Sequence, residues 1–562
     1  MERAGAFADK TDMKTTSTIH ILLVISGLAL ATAPGHAQAD GPLPIVWQAT
    51  YGPGMIDGVG YAIPYDFVQT ADGGFLIAGF AYGSTNDIRT VPICPNIYNF
   101  WVIKIDAQGH RQWDKSCGGE PAWGPGSSAS RVFLAPDGGF MLAGYVTSAA
   151  GCCQTAPLHG LVDAWAVRYD PNANKLWDQT CLPDGLTALW GWDFEQTADA
   201  GYLGCGLGAV SGVAGWYGIV KFDAQGQQMW TKTIGCLTSG LAGGLRILET
   251  ADGGFIVAGS SGAEPCGDKT SPYFGGYDPG NGFLGSDFWV VQCDAQQNKV
   301  WDKSYGGADA DLALDMHPLA DGGFMVFGTS ESPPETDPTK GTKTSPSYGD
   351  CDYWMIRIDA QGNQLWDRSY GGAGDDVCTC AEPMPDGGWL LSGNSTSVPS
   401  GNKTSPSFGS SDIWIVRIDD QGNKLWEQSF GGSGIEGKQW RPFAAPQFAR
   451  ERIKHTADGG FLLTGWSQSP VSGLKTAPLI SQGDYWVLKL GPEPPSLRAE
   501  VTPEGKFQLC LIAPPELSHT IQGSADLATW TDLDTRPPNA AGKEYWTDPD
   551  KLAHRFYRAV RK

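Results

Sequence analysis

The chain has 562 residues and carries 39 Lys and Arg against 61 Asp and Glu, a formal net charge of −22. That balance excludes nucleic acid and anionic membrane as partners, because the field of the protein has the wrong sign. The deficit is local: residues 40–495 hold 27 basic against 49 acidic residues, while the segments on either side are balanced.

In chain order, residues 1–39 read as a secretory signal, with Met13 as an alternative start. Lys14 supplies the basic start, Ile19 to Ala31 the apolar core, and Ala37-Gln38-Ala39 the cleavage site. No later stretch is long and apolar enough to insert into a membrane. A secreted location follows, extracellular, surface-held or periplasmic, and with it disulfides among the 13 Cys. Those expected on the loop side are Cys94, Cys117, Cys152, Cys153, Cys181, Cys236, Cys266, Cys351 and Cys378. Cys205, Cys293 and Cys380 fall in mid-strand and read as buried thiols.

From residue 40 to 491 one phrase recurs seven times at a period of roughly 60 residues, the sign of a repeat architecture. Each unit has an Asp-Gly-Gly turn followed by a strand, as at Asp72, Asp137, Asp252, Asp321, Asp386 and Asp458, with Asp-Ala-Gly at Asp199. A strand with Trp-x-(Val/Ile) follows, through Trp101, Trp165, Trp216, Trp289, Trp354, Trp414 and Trp486. A third strand runs through Trp47, Trp113, Trp177, Trp230, Trp301, Trp366 and Trp426. One more strand precedes each Asp-Gly-Gly, so each unit has four strands, A to D. The chain opens on a D strand (44–51) and closes on a C strand, so pairing the two ends completes the seventh unit and removes an open edge. The A–B and C–D turns are short and carry Gly; the B–C and D–A loops are long and lie on the other face, where binding usually resides.

Residues 492–495 form a Pro-rich linker. Beyond it, 496–562 alternates as short strands at Leu497–Val501, Lys506–Ile512, His519–Gly523, Trp530–Leu533 and Arg555–Val560.

The run Gly-x-x-Asp-x-Trp-x-Val-(Lys/Arg)-Ile-Asp-x-x-Gly-x-x-x-Trp-x-x-x-(Tyr/Phe)-Gly-Gly resembles the β-propeller repeats of large secreted bacterial proteins, the SBBP-type repeats. It implies an all-β fold, a seven-bladed β-propeller of four-stranded blades closed by an N-terminal strand, and it implies little about activity. The phrase from Thr520 to Trp530 and the ending Arg555-Phe556-Tyr557-Arg558 resemble the small Ig/FnIII-like β-sandwich modules that end many secreted bacterial proteins. The Asp…Gly…Trp spacing also resembles the tryptophan motif of quinoprotein propellers.

Six residues before each A–B turn aspartate stand Asp66, Arg131, Asp193, Arg246, Asp315, Cys380 and Arg452. Six of these seven are charged, in a chain with 18% charged residues, and the signs alternate. This predicts an inter-blade charge ring around the channel, structural in the first instance, with Arg452 beside Asp66. The B–C loops repeat Lys-Thr-(Ser/Ala)-Pro at Lys269, Lys343, Lys403 and Lys475, with aromatics nearby. Trp123, Tyr273, Tyr348, Phe408, Trp440 and Phe443 are the candidate binding residues on that face. The sequence contains no His pair at metal-ligand spacing, nucleophile elbow or phosphate loop. The expectation is a monomeric, non-catalytic binding or scaffold protein for a neutral glycan or a peptide, with no cofactor, metal or catalytic residue. The rival is a propeller enzyme, quinoprotein-like or polysaccharide-cleaving.

Overall fold

A computed structural model describes residues 43–91, 98–120, 126–210, 213–235, 242–276, 285–385, 387–437, 451–492, 496–501, 507–512, 518–524, 529–536, 543–547 and 556–561. The signal segment, Cys94, Cys236 and most of the linker lie outside them.

The described chain is all-β. Seven four-stranded antiparallel sheets account for residues 45–490, and six of them are consecutive A-B-C-D meanders. The seventh is assembled from both ends: Ile45–Tyr51 pairs with Asp484–Leu490, with Tyr51 opposite Tyr485 and Thr50 opposite Trp486. Each sheet packs on the next and the last packs on the first, a propeller-like ring with the A strands innermost. These are Tyr61–Gln69, Ser127–Leu134, Ala188–Gln196, Ala242–Glu249, Asp311–Pro318, Asp376–Pro383 and Arg452–His455.

Aromatic stacking joins the sheets. In five sheets an aromatic residue next to the strand-C Trp packs on the Trp of the following sheet: Phe100, Phe288, Tyr353 and Tyr485 precede their Trp, and Tyr217 follows its own. Ring centroids are 4.4 Å apart for Phe100 and Trp165, 4.7 Å for Tyr217 and Trp289, 4.6 Å for Phe288 and Trp354, and 4.8 Å for Tyr353 and Trp414. The same contact closes the ring, with Tyr485 5.0 Å from Trp101. Tyr217, Tyr353 and Tyr485 also donate their hydroxyls to the backbone carbonyls of Trp289, Trp414 and Trp101. A buried phenol is thereby satisfied while its ring fills the seam.

The short turns need positive φ, and Gly73 and Gly322 supply it. Where the sequence offers Ala200, Ala173 or Gln297 instead, that residue is forced to a φ of 58–65°. The third sheet differs at the other end: its B strand ends at Val210 and its C strand begins at Val213, with no long loop between them.

Residues 496–561 form two three-stranded sheets, one from Ser496–Val501, Phe507–Ile512 and Lys543–Trp546, the other from His519–Ser524, Thr531–Arg536 and Phe556–Arg561. Leu497, Leu509 and Leu511 of the first and Ile521, Tyr557 and Ala559 of the second share one core. The strand Lys543–Trp546 has no counterpart in the sequence reading.

The disulfide expectation holds for Cys117, which bonds Cys153, and for Cys152 and Cys266, which are also disulfide-bonded. Cys181, Cys351 and Cys378 are corrected: strand geometry turns them into the core as buried thiols, like Cys205, Cys293 and Cys380.

Deleting residues 40–51 removes the strand that completes the seventh sheet and frees the edge Asp484–Leu490. The melting temperature is expected to fall by about 10 °C or more, several kcal/mol at roughly 2–4 °C per kcal/mol for a chain of this size. An unchanged melting curve contradicts closure by this strand.

Candidate functional site

Two surfaces carry concentrated chemistry: the hub lined by the A strands, and the loop ends of the sheets.

The hub residues are aimed by a repeated irregularity. In six sheets the A–B register slips by one just before the hub position, a charged residue in five and Cys380 in the sixth, at Pro64/Asp66, Ala129/Arg131, Gly191/Asp193, Gly244/Arg246, Ala313/Asp315 and Cys378/Cys380. A bulge bends the strand and re-aims its side chains. These residues make ion pairs from one inner strand to the next. Arg131 binds Asp193 at 2.5 Å and reaches Asp66 at 3.9 Å. Arg246 bridges Asp193 at 3.0 Å and Asp315 at 3.2 Å, and Arg452 lies 3.7 Å from Asp315. The expected neighbour of Asp66 is corrected: Lys454, not Arg452, binds it, at 2.5 Å. Arg452 turns the other way, toward Asp315 and the Cys380 sulfur. Burial pushes Asp193 toward neutrality, but Arg131 and Arg246 outweigh it and hold the carboxyl down at about 2. Each charge buried here has an opposite partner, as a stable buried charge requires.

A cavity of about 410 Å³ opens at the turn ends of these strands, between the ring and Val68, Phe133, Leu134, Glu195, Gln196, His317, Glu382 and Lys454. It lies on the face of the short turns, opposite the one singled out from sequence. Glu195 differs from the girdle. Its Oε2 has no hydrogen-bond partner, and burial raises its carboxyl to about 7 despite nearby Arg246.

At the loop ends, the Asp of each Leu-Trp-Asp phrase proves to be the anchor of a B–C loop. Asp302 accepts from the backbone N–H of Thr270 and of Ser271, both at 2.9 Å, from the Thr270 hydroxyl, from the Trp289 indole at 3.1 Å and from Lys299 at 2.7 Å. Asp367 repeats this with Thr344, Ser345 and Trp354, Asp178 with Thr155, Ala156 and Trp165, and Asp114 with Thr90 and Trp101. Glu427 and Gln48 take the place in the sixth and seventh sheets. These donors outweigh burial and hold Asp178, Asp302 and Asp367 below the usual carboxylate range. The Lys of the loop phrase is buried: Lys269, Lys343, Lys403 and Lys475 are at most 2% exposed and give their ammonium groups to carbonyls of Ser271, Ser345, Ser405 and Ala477.

Of the aromatic candidates, Tyr273, Tyr348 and Phe408 are half-buried. Each loop is tethered locally: the N–H groups of Tyr348 and Phe408 donate to Asp352 and Asp412, and the Tyr273 hydroxyl donates to Gly285. Trp123, Trp440 and Phe443 lie outside the described residues. Tyr348 also lines a groove of about 430 Å³ between the fifth and sixth sheets, with Thr344, Arg368, Ser369, Asn402 and Asn423. The carboxylate anchors and buried lysines escaped the sequence reading, although both stand at fixed positions in the repeat. Among the described residues no group of three or more His, Cys, Asp or Glu is placed to hold a metal, and no helix is long and apolar enough to cross a membrane.

No family model matches the sequence, and no curated protein is similar to it. Among solved structures, the chain is similar to a protein of unknown function from Dyadobacter fermentans DSM 18053 (10% identity, 80% of this chain and 99% of that one, TM-score 0.34). It is also similar to Drosophila Plexin A in complex with Semaphorin 1b (8%, 80% and 87%, 0.37). A third is the β-propeller domain of the Trilobed protease from Pyrococcus furiosus (10%, 72% and 91%, 0.31).

Glu195 yields a pH test. Its folded-state pKa lies above the ordinary Glu value, so its contribution is present at acid pH and is lost as pH rises from about 4.5 through 7. Glu195→Gln should match the wild type at pH 5 and be more stable at pH 8, by on the order of 2 kcal/mol in urea unfolding. Equal stability at both pH values would show that Glu195 is solvated.

Proposed function

We propose that this chain is a secreted, non-catalytic binding protein: a seven-bladed β-propeller of the secreted bacterial repeat type, spanning 40–491, joined by a short linker to an Ig/FnIII-like β-sandwich at 496–562. The ligand class is a neutral glycan or a peptide, and the site is the groove beside Tyr348.

The observation that carries this reading is the construction of that groove. Its polar side chains are fixed from behind: Asn402 bonds Gly371 and Ser369, Asn423 bonds Asp419, and Arg368 lies over Trp366 at 5.1 Å while donating to the Asp367 carbonyl. A site held rigid before binding loses less entropy on association. Arg368 has further N–H donors to offer, since a guanidinium carries five. Tyr348 adds a flat apolar face with a polar edge, suited to a sugar ring or a peptide plane. The hub favours the same non-catalytic reading, because its girdle charges are already committed to one another. A second reading, an enzyme acting in the hub cavity, rests on Glu195, which lines that cavity with its Oε2 unpartnered.

A screen of neutral oligosaccharides and peptides with the mature chain separates the two. For a hit, Tyr348→Ala and Arg368→Ala should each weaken binding about tenfold or more, equivalent to ~1.4 kcal/mol, with the melting temperature unchanged. A ligand indifferent to both changes but lost with Glu195→Gln places the site in the hub and supports the enzyme reading.

A further inference from the structure

At the loop ends of the sheets a backbone bond sets two positions face to face across each seam. The first residue pairs are joined by Asp311 N–H to Ser286 O, Asp376 N–H to Cys351 O, Glu436 N–H to Ser411 O, Leu189 N–H to Val162 O and Ala62 N–H to Gly483 O. The residue after each carbonyl is an acid: Asp287, Asp352, Asp412, Asp163 and Asp484. In three seams acid therefore faces acid, as Asp287/Asp311, Asp352/Asp376 and Asp412/Glu436. In two seams acid faces an apolar residue, as Asp163/Leu189 and Asp484/Ala62. All eight acids are at most 1% exposed.

The two kinds of seam differ in their oxygens. Asp163 has both oxygens occupied, by the N–H groups of Gly160 and His159, and Asp484 by Ser481 and Ile480. In the acid–acid seams one oxygen of each Asp is taken by a backbone N–H: Phe274 and Gly307 in the first, Tyr348 and Gly372 in the second, Phe408 in the third. The other oxygens of the five Asp, Asp287 Oδ1, Asp311 Oδ1, Asp352 Oδ1, Asp376 Oδ1 and Asp412 Oδ1, are buried without a partner, whereas Glu436 accepts with both oxygens, from the Gly432 N–H and the Ser467 hydroxyl. The Gly-Gly that closes strand D makes the space. A Cβ on Gly306 would stand 2.4 Å from Asp287 Oδ1 and 2.5 Å from Asp311 Oδ2, and Gly371 and Gly431 have the same acid oxygens at that position.

The local charge does not balance either. The titratable groups facing these pairs are Lys269, Lys343, Lys403 and Lys475, with Asp484 at the end of the belt and Glu264, Asp302, Asp367 and Glu427 farther out. Four lysines stand against the eight belt acids, so the acids are in excess. Burial raises Asp311 to about 7 and Asp376 and Asp412 to about 6, and it raises Asp287 and Asp352 in the same direction. An unpaired buried charge is costly.

We propose that each of the three facing pairs, Asp287/Asp311, Asp352/Asp376 and Asp412/Glu436, holds one hard cation, Ca²⁺ for preference. The donors are all oxygen, which excludes soft metals. Two carboxylates, with serine hydroxyls, carbonyls and water completing the shell, suit the variable coordination of Ca²⁺ better than the strict octahedron of Mg²⁺. Affinity should lie near the ~0.1–1 mM of extracellular Ca²⁺ modules.

The test is calcium binding to the mature full chain after EGTA treatment and desalting, at pH 7.5. Equilibrium dialysis should give three Ca²⁺ per chain, and ~5 mM CaCl₂ should raise the melting temperature by several degrees where equal MgCl₂ raises it less. Asp311→Leu copies the second sheet, where Leu189 faces Asp163, and should leave two sites. Asp376→Asn serves the same purpose if that variant does not fold. No bound calcium, with stability that rises as pH falls from 8 to 5, would overturn the proposal and leave shared protons as the neutralising agent. Three ions still bound by both variants would place the calcium elsewhere and overturn it equally.

Discussion

A carboxylate on the outer strand of five sheets, Asp114, Asp178, Asp302, Asp367 or Glu427, is the constraint on which the long-loop face depends. In the first, second, fourth and fifth sheets an Asp after the D-strand Trp gathers the indole N–H of strand C and the N–H and hydroxyl groups at the start of the loop phrase. One side chain thus fixes a strand, a loop and a core tryptophan. The third sheet shows the converse. It has no long B–C loop, Thr231 stands where the carboxylate would be, and Trp216 is only half-buried. Loop, anchor and tryptophan burial are lost together, as they should be if the anchor exists to hold the loop. The sixth sheet is intermediate. Glu427 is one methylene longer and still holds Thr404 and Ser405, but the Trp414 indole is left without a partner.

Around this latch the molecule sorts its charges into two belts. The hub belt alternates sign and is matched pair by pair, so the inner strands are locked without an external ion. The loop-end belt is not matched. There the lysines satisfy carbonyls rather than carboxylates, and the acids meet one another across three seams. The imbalance bears on how the acidic ring stays folded, because its net charge comes partly from groups that water does not reach.

Much of the fold is legible in the sequence because the repeat is regular. The Asp-Gly-Gly turns, the strand-C tryptophans and the surplus D strand at Trp47 give strand phase and end pairing directly, and Trp101, Trp165, Trp289, Trp354, Trp414 and Trp486 are fully buried as a core seam requires. The alternation of Asp66, Arg131, Asp193, Arg246, Asp315 and Arg452 gives the girdle. What period-2 reasoning misses is the bulge before Asp66, Arg131, Asp193, Arg246 and Asp315, which redirects those side chains by one place, and the reach of Lys454 rather than Arg452 to Asp66. The repeat shows Lys269, Lys343, Lys403 and Lys475 at a fixed position, but only the fold shows that carbonyls of the same loop turn inward to receive them. The groove at Tyr348 forms between neighbouring repeats, so no single repeat displays it.

This arrangement favours binding over chemistry: rigid loops on carboxylate anchors, a stapled hub, and a preorganised groove in the seam between two sheets. The central claim is that the carboxylate anchor holds the loop, and amide hydrogen exchange on Asp367→Ala tests it most directly. Loss of charge-assisted hydrogen bonds worth about 1.5–3 kcal/mol should speed exchange at Thr344 and Ser345 by roughly ten- to a hundredfold, while the strands of the same sheet keep their protection. Unchanged protection at Thr344 and Ser345 in that variant would contradict the account.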